Sequence, residues 1–144
     1  MDYGAGYCDY RSDMTRTVVM GEPTQEQLDL YALVRRTHEE CVAAIHPGVE
    51  GNDIFKFSKK IIGDAGYGDY YNHGLGHGVG IDIHELPNFN RSKNTIEIGS
   101  VVTMEPGVYL PGVGGVRLED YGVVTENGYE PFTKTPHDLH VIDC

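Results

Sequence analysis

Residues 73–85 read His-Gly-Leu-Gly-His-Gly-Val-Gly-Ile-Asp-Ile-His-Glu, which places His73, His77 and His84 in one short stretch dominated by glycine. Imidazole ligates dications and moves protons near neutral pH, so clustered histidines suit a metal centre. Glycines at 74, 76, 78 and 80 permit close backbone approach and positive φ, which would let the flanking imidazoles converge. The same stretch also fits unrelated loop histidines. Carboxylates add to the pattern. Asp2 and Asp13 fall in a predicted strand hairpin, where they are either turn formers or, because strands deplete aspartate, residues that need a partner. Glu105 in Val-Thr-Met-Glu-Pro-Gly and Glu119 in Val-Arg-Leu-Glu-Asp each end a short apolar run, a setting that suits either plain surface or a site.

Jointly, Asp2, Asp13, Glu105 and Glu119 with His77 supply four carboxylates and one imidazole. Four negative charges offset two divalent cations and leave room for a bridging hydroxide, whereas a single cation leaves excess charge. Oxygen-rich ligation without thiolate favours Mn2+, Co2+ or Fe2+ over a structural zinc site. The mononuclear zinc-protease template is excluded, because Glu85 is followed by Leu86, Pro87 and Asn88 rather than completing H-E-x-x-H.

The elements that must position these residues are legible in part. Residues 1–20 read as a two-stranded hairpin with Asp2 facing Asp13. Thr24 begins a helix with Gln27 completing a capping box, and Leu28, Tyr31, Val34, Val42 and Ile45 follow helical spacing to a stop at Pro47-Gly48. His38 and His46, on or near this helix, are expected to be solvated. A second helix over 53–62 places Ile54, Phe57, Ile61 and Ile62 on one face. The histidine stretch should then enter a strand over 79–83, with Pro87 ending it. Short strands follow over 101–105, 107–110, 115–119, 121–125 and 131–135. Helices set apart from a mostly antiparallel sheet make the fold class α+β.

With 144 residues, 40% hydrophobic and 23% charged, the chain fits one domain. A net charge of -11, from 22 acidic and 11 basic residues, opposes binding to nucleic acid or anionic membranes. Cys8, Cys41 and Cys144 are odd in number and widely spaced, so a reducing, cytoplasmic location is expected. No basic leader followed by an apolar run is present, and no run of about 18 apolar residues.

The patterns D-x-G-A, Y-x-x-D-x-T-R-T, H-G-x-G-H-G-x-G-x-x-x-H-E-x-P, T-x-E-P-G-x-Y and G-x-R-x-E-D, in this order, resemble the M24-type metallopeptidases of the pita-bread fold. Among these the chain is most similar to Xaa-Pro dipeptidases (prolidases) and aminopeptidase P. The resemblance implies that Asp2, Asp13, His77, Glu105 and Glu119 ligate two divalent metal ions, Mn2+ first, with Co2+, Fe2+ or Zn2+ as alternatives, and that Asp13 and Glu119 bridge them. It implies that His73 and His84 contact substrate or its tetrahedral intermediate, that Glu105 carries a proton, and that Arg117 and Tyr109 surround the site. The substrate would be a proline-containing peptide, and the complete enzyme a homodimer. It also implies that 1–144 is a partial catalytic domain, lacking the upstream half and an amino-terminal domain. On that view Asp2 sits at a frayed end, and the chain alone is expected to be aggregation-prone and not a competent enzyme. The alternatives are a non-catalytic metal-binding or protein-interaction module of the same fold, and a creatinase-like hydrolase.

Overall fold

The computed structural model describes residues 1–143, so Cys144 lies outside the described residues. The first twenty residues form five short strands, β1 (Asp2–Tyr3), β2 (Gly6–Tyr7), β3 (Tyr10–Arg11), β4 (Met14–Thr15) and β5 (Val18–Met20). β2 and β3 form a hairpin whose central residues, Cys8 and Asp9, take φ of 49° and 69°, as a tight two-residue turn requires. β1 pairs with β4 in the register Asp2↔Thr15 and Tyr3↔Met14. Asp2 therefore faces Thr15 and not Asp13. Side chains alternate along a strand, so Asp13 falls on the same face as Thr15, diagonal to Asp2.

α1 (Gln25–Ala43) opens with the expected box: Thr24 Oγ1 accepts from the Gln27 amide, and Gln27 Oε1 accepts from the Thr24 amide. The helix ends at Ala43, ahead of Pro47. Its buried stripe is Leu30, Tyr31, Leu33, Val34, Thr37, His38 and Cys41, while Leu28 is exposed. His38 is thus a core residue, 2% exposed, and not solvated. α2 (Gly51–Asp64) is one turn longer than expected and buries Ile54, Phe55, Ser58, Ile61 and Ile62, leaving Phe57 at the surface. In both helices the phase is set by the partner face. Alternating apolar residues allowed two readings, and packing selected one.

After a short 3-10 turn (Gly68–Tyr70) come β6 (Gly76–Gly78), β7 (Glu85–Phe89), β8 (Val101–Met104), β9 (Gly107–Leu110), β10 (Gly114–Arg117), β11 (Asp120–Thr125), β12 (Gly128–Pro131) and β13 (His140–Ile142). The main sheet has the order β12-β11-β8-β6-β7 and is antiparallel throughout. β9 and β10 form a hairpin, and β13 runs parallel to β5. Two helices with mostly antiparallel sheets make the fold α+β, as expected. Val34, Cys41, Ile54, Ile62, Phe89, Val102, Met104, Leu118 and Val124 belong to one core cluster that joins helices to sheet.

The strand assigned to 79–83 is absent. Residues 79–84 instead form the loop that joins β6 to β7, closed by the Gly78↔Glu85 pair, and the register shift between His77 and Gly78 makes Leu86 and Pro87 a bulge in β7. Pro87 does not end a strand but lies within β7, which is tolerated because β7 is an edge strand. The strand expected over 131–135 is not formed beyond Pro131; β12 lies earlier, over Gly128–Pro131, where it closes a hairpin with β11.

Candidate metal centre

β6 carries His77 across the sheet from β8, and β8 delivers Glu105 just past its end. This close approach is what the glycines provide. A Cβ at Gly76 would stand 2.1 Å from the Thr103 carbonyl oxygen, and one at Gly107 would stand 2.6 Å from the Tyr109 hydroxyl and 2.9 Å from His73 Nε2. The expected positive φ is not used: none of glycines 74, 76, 78 and 80 is among the positive-φ residues. Sequence reasoning identified the right glycines but one wrong reason for them.

His77 Nδ1 lies 3.0 Å from the Gly78 carbonyl, which accepts only if that nitrogen carries the proton. In the neutral ring Nε2 is then the atom with a free lone pair, and it lies 3.7 Å from Asp13 Oδ2 and 3.3 Å from Glu105 Oε1. Glu119 joins Asp13 and His77 in a cluster whose ligand atoms lie within 4.8 Å of one another. Its Oε2 accepts from the Thr15 hydroxyl at 2.6 Å, while the buried Oε1 has no hydrogen-bond partner among the described residues. Thr103 donates to Glu105 Oε1 at 3.4 Å and accepts from the His77 amide at 3.0 Å.

Carboxylates thus crowd together away from water. Burial, reinforced by Glu105, pushes the Glu119 carboxyl up to about 8. Burial also pushes Glu105 up to about 7 and raises Asp13. A shared cation resolves such an arrangement. The orphaned Glu119 oxygen, the lone pair on His77 and the oxygen-rich donor set all fit divalent metal ions.

Arg117 supplies the positive charge at the rim. Its Nη2 pairs with Asp2, and its Nε lies 3.9 Å from Glu105 Oε2, 4.0 Å from Glu119 Oε2 and 3.0 Å from the Thr15 hydroxyl. Asp2, whose side chain is 57% exposed, is brought to this rim and not into the three-residue cluster. Its short strand is tied down by the pairing with β4 and by the Arg16 amide, which donates to the Met1 carbonyl at 3.0 Å.

His73 and His84 border the same cleft as His77. His73 Nδ1 is 2.6 Å from the Gly74 carbonyl and therefore donates to it, leaving Nε2 to accept from the Tyr109 hydroxyl at 3.0 Å. Arg117 Nη1 in turn donates to Tyr109 at 3.4 Å. Burial lowers the His73 pKa and keeps the ring neutral. His84 is exposed and packs edge-on against His77 with ring centroids 4.2 Å apart. His73, His77, His84, Glu105 and Arg117 line an open cleft of about 690 Å3, together with Glu85, Leu86, Asn88 and Asn90.

Thr15 and Thr103 were missed by the sequence reading, although the signal was present. Each lies two residues from a carboxylate, Asp13 or Glu105, on the same face of an extended segment. Arg16 was missed as well. Its guanidinium, buried, donates to the carbonyls of Thr15, Glu119, Thr135 and Pro136 and to Asp120 Oδ1, and so fixes the backbone that carries Glu119.

Comparison with known proteins places this geometry in context. The model of metallopeptidase family M24 matches residues 1–126. The Xaa-Pro dipeptidase of Pyrococcus furiosus is 44% identical over 140 residues, which are 96% of this chain and 40% of that protein. Among solved structures, the prolidase from Pyrococcus horikoshii OT3 superposes with a TM-score of 0.93 at 41% identity, over 96% of this chain and 40% of that one. The X-Pro aminopeptidase from Thermotoga maritima MSB8 gives 0.94 at 34% identity, over 98% of this chain and 40% of that one. The chain spans about two-fifths of the length of the relatives it matches.

Proposed function

The chain belongs to metallopeptidase family M24, and from that premise we propose that it carries the dinuclear-metal half of a site that hydrolyses the Xaa-Pro bond of dipeptides or peptide amino termini. The observation that carries this reading is the convergence of His77 Nε2 with Asp13, Glu105 and an unsatisfied Glu119 oxygen, beside an open cleft that His77 and Glu105 line. Asp13, His77, Glu105 and Glu119 would hold the cations, with Asp2 completing the set once released from Arg117; Mn2+ is the best matched ion for so many oxygens. When bound, such cations lower the pKa of water to supply a nucleophile and polarise the scissile carbonyl.

The chain's own residues do the rest. Glu105 borders the cleft with a carboxyl that titrates near neutrality in the metal-free chain, which suits a proton carrier between attacking water and leaving amine. His84, exposed at the cleft wall, is free to donate to a developing oxyanion, where one such donor is worth about 3 kcal/mol. His73 presents an acceptor, held in its tautomer by Gly74 and steadied by Tyr109 and Arg117, and positions the substrate. The retention of all five expected ligand residues argues against a non-catalytic module.

The test is turnover of Xaa-Pro dipeptides, longer Xaa-Pro peptides and methionyl peptides lacking proline by the metal-loaded protein. His73→Ala should lower kcat/KM for Xaa-Pro substrates at least tenfold, about 1.4 kcal/mol, with metal content unchanged. Preferential release of amino-terminal methionine would overturn the proline assignment.

A further inference from the structure

A second cluster of ligating side chains lies beside the candidate centre and plays no part in it. Asp120, the residue after Glu119, is 3% exposed. Its Oδ2 is 3.5 Å from His38 Nε2, on α1, and 2.6 Å from His137 Nε2, on the irregular segment between β12 and β13. The two imidazoles meet edge-on at 5.0 Å between ring centroids. His38 is 2% exposed, yet neither of its ring nitrogens has a hydrogen-bond partner among the described residues. An unpartnered polar side chain in a core is costly and uncommon unless something else engages it.

We propose that His38, Asp120 and His137 form a separate transition-metal site, best matched to Zn2+, that clamps α1 and the segment before β13 onto β11. Two imidazoles and one carboxylate, with solvent as the fourth ligand, are a set that tetrahedral zinc accepts. With ligand bonds of about 2.0–2.2 Å, tetrahedral geometry separates ligand atoms by about 3.3–3.5 Å. The His38–Asp120 distance already fits. The His137–Asp120 contact is a hydrogen bond and must open by several tenths of an ångström. His137 can move, because its side chain is 27% exposed on a segment outside regular structure, which also gives the ion an entry path. Arg16 Nη2 donates to Asp120 Oδ1 at 2.7 Å and orients the carboxylate with Oδ2 towards both histidines, the supporting hydrogen bond that ligating carboxylates usually have. Because Arg16 already offsets the charge of Asp120, this site should hold a dication less tightly than the carboxylate-rich centre and fill after it.

The protein stripped with chelator and titrated with Zn2+ or Co2+ tests this. His77→Ala weakens the first centre and should leave one ion per chain on the second, with Co2+ giving the visible spectrum of a four-coordinate site. Adding His38→Gln, whose amide can still donate to Asp120, or His137→Asn should weaken that uptake at least about tenfold. If His38→Gln fails to fold, His137→Asn decides alone, since its position is half-exposed. Unchanged Zn2+ stoichiometry and affinity in the folded His137→Asn protein would overturn the site, as would an His77→Ala protein that takes up no Zn2+.

Discussion

Replacing Glu119 by glutamine should stabilise the metal-free chain at alkaline pH while destroying its hold on cations. Glu119 is 1% exposed, and burial with Glu105 nearby moves its carboxyl from an ordinary 4.5 to about 8. Between those values the folded metal-free chain holds a proton that the unfolded chain has lost. Stability from this group is therefore full below the unfolded pKa and falls as pH rises through the folded one. A shift of that size costs on the order of 4–5 kcal/mol above pH 8, a large part of a typical margin of about 5–15 kcal/mol. Glutamine has nearly the same shape, keeps an oxygen for the Thr15 hydroxyl, and carries no charge to desolvate. Urea unfolding of the metal-free proteins should show Glu119→Gln more stable than its parent by several kcal/mol at about pH 8.5, with little difference at about pH 5, taking the linkage above. Mn2+ should raise the midpoint of the parent only. Parallel pH profiles for the two proteins would refute the reasoning.

The other predictions concern the frame around the centre. Arg16→Met leaves Asp120 charged and buried without its guanidinium, so it should cost about 3–5 kcal/mol in chemical denaturation; the exposed Arg35–Glu39 pair should cost no more than about 1 kcal/mol when Arg35 is changed likewise. Equal effects would contradict this account of Arg16. Burial pushes the Cys41 thiol up to about 12, whereas Cys8 is exposed. Iodoacetamide followed by peptide mapping should therefore label Cys8 in the native protein and Cys41 only after unfolding, and comparable native labelling of Cys41 would show that the α1 core is open.

Much of the centre was legible because its chemistry is local. The H-G-x-G-H stretch and the two glutamates at strand ends carry their signal in residue type and spacing, and the structure brings His77, Glu105 and Glu119 together with Asp13. What sequence could not supply was phase and register. Leu28 and Phe57 fit a helical period as well as Leu30 and Phe55 do, and only the sheet beneath decides between them. Asp2 opposite Thr15 instead of Asp13 depends on how β1 and β4 pair across the intervening hairpin. His38 read as solvated because its partners, Asp120 and His137, are remote in sequence and join it only through the sheet. Residues 79–84 alternate like a strand, yet the pairing of Gly78 with Glu85 makes them the loop between β6 and β7 that carries His84 beside His77.

The dinuclear claim is tested most directly by electron paramagnetic resonance of protein loaded with two equivalents of Mn2+. If Asp13 and Glu119 bridge two ions, the spectrum will be that of a spin-coupled Mn2+ pair, and Glu119→Gln will replace it with the signal of isolated Mn2+. Isolated Mn2+ alone in the parent protein, with no coupled signal at any loading, would contradict the account.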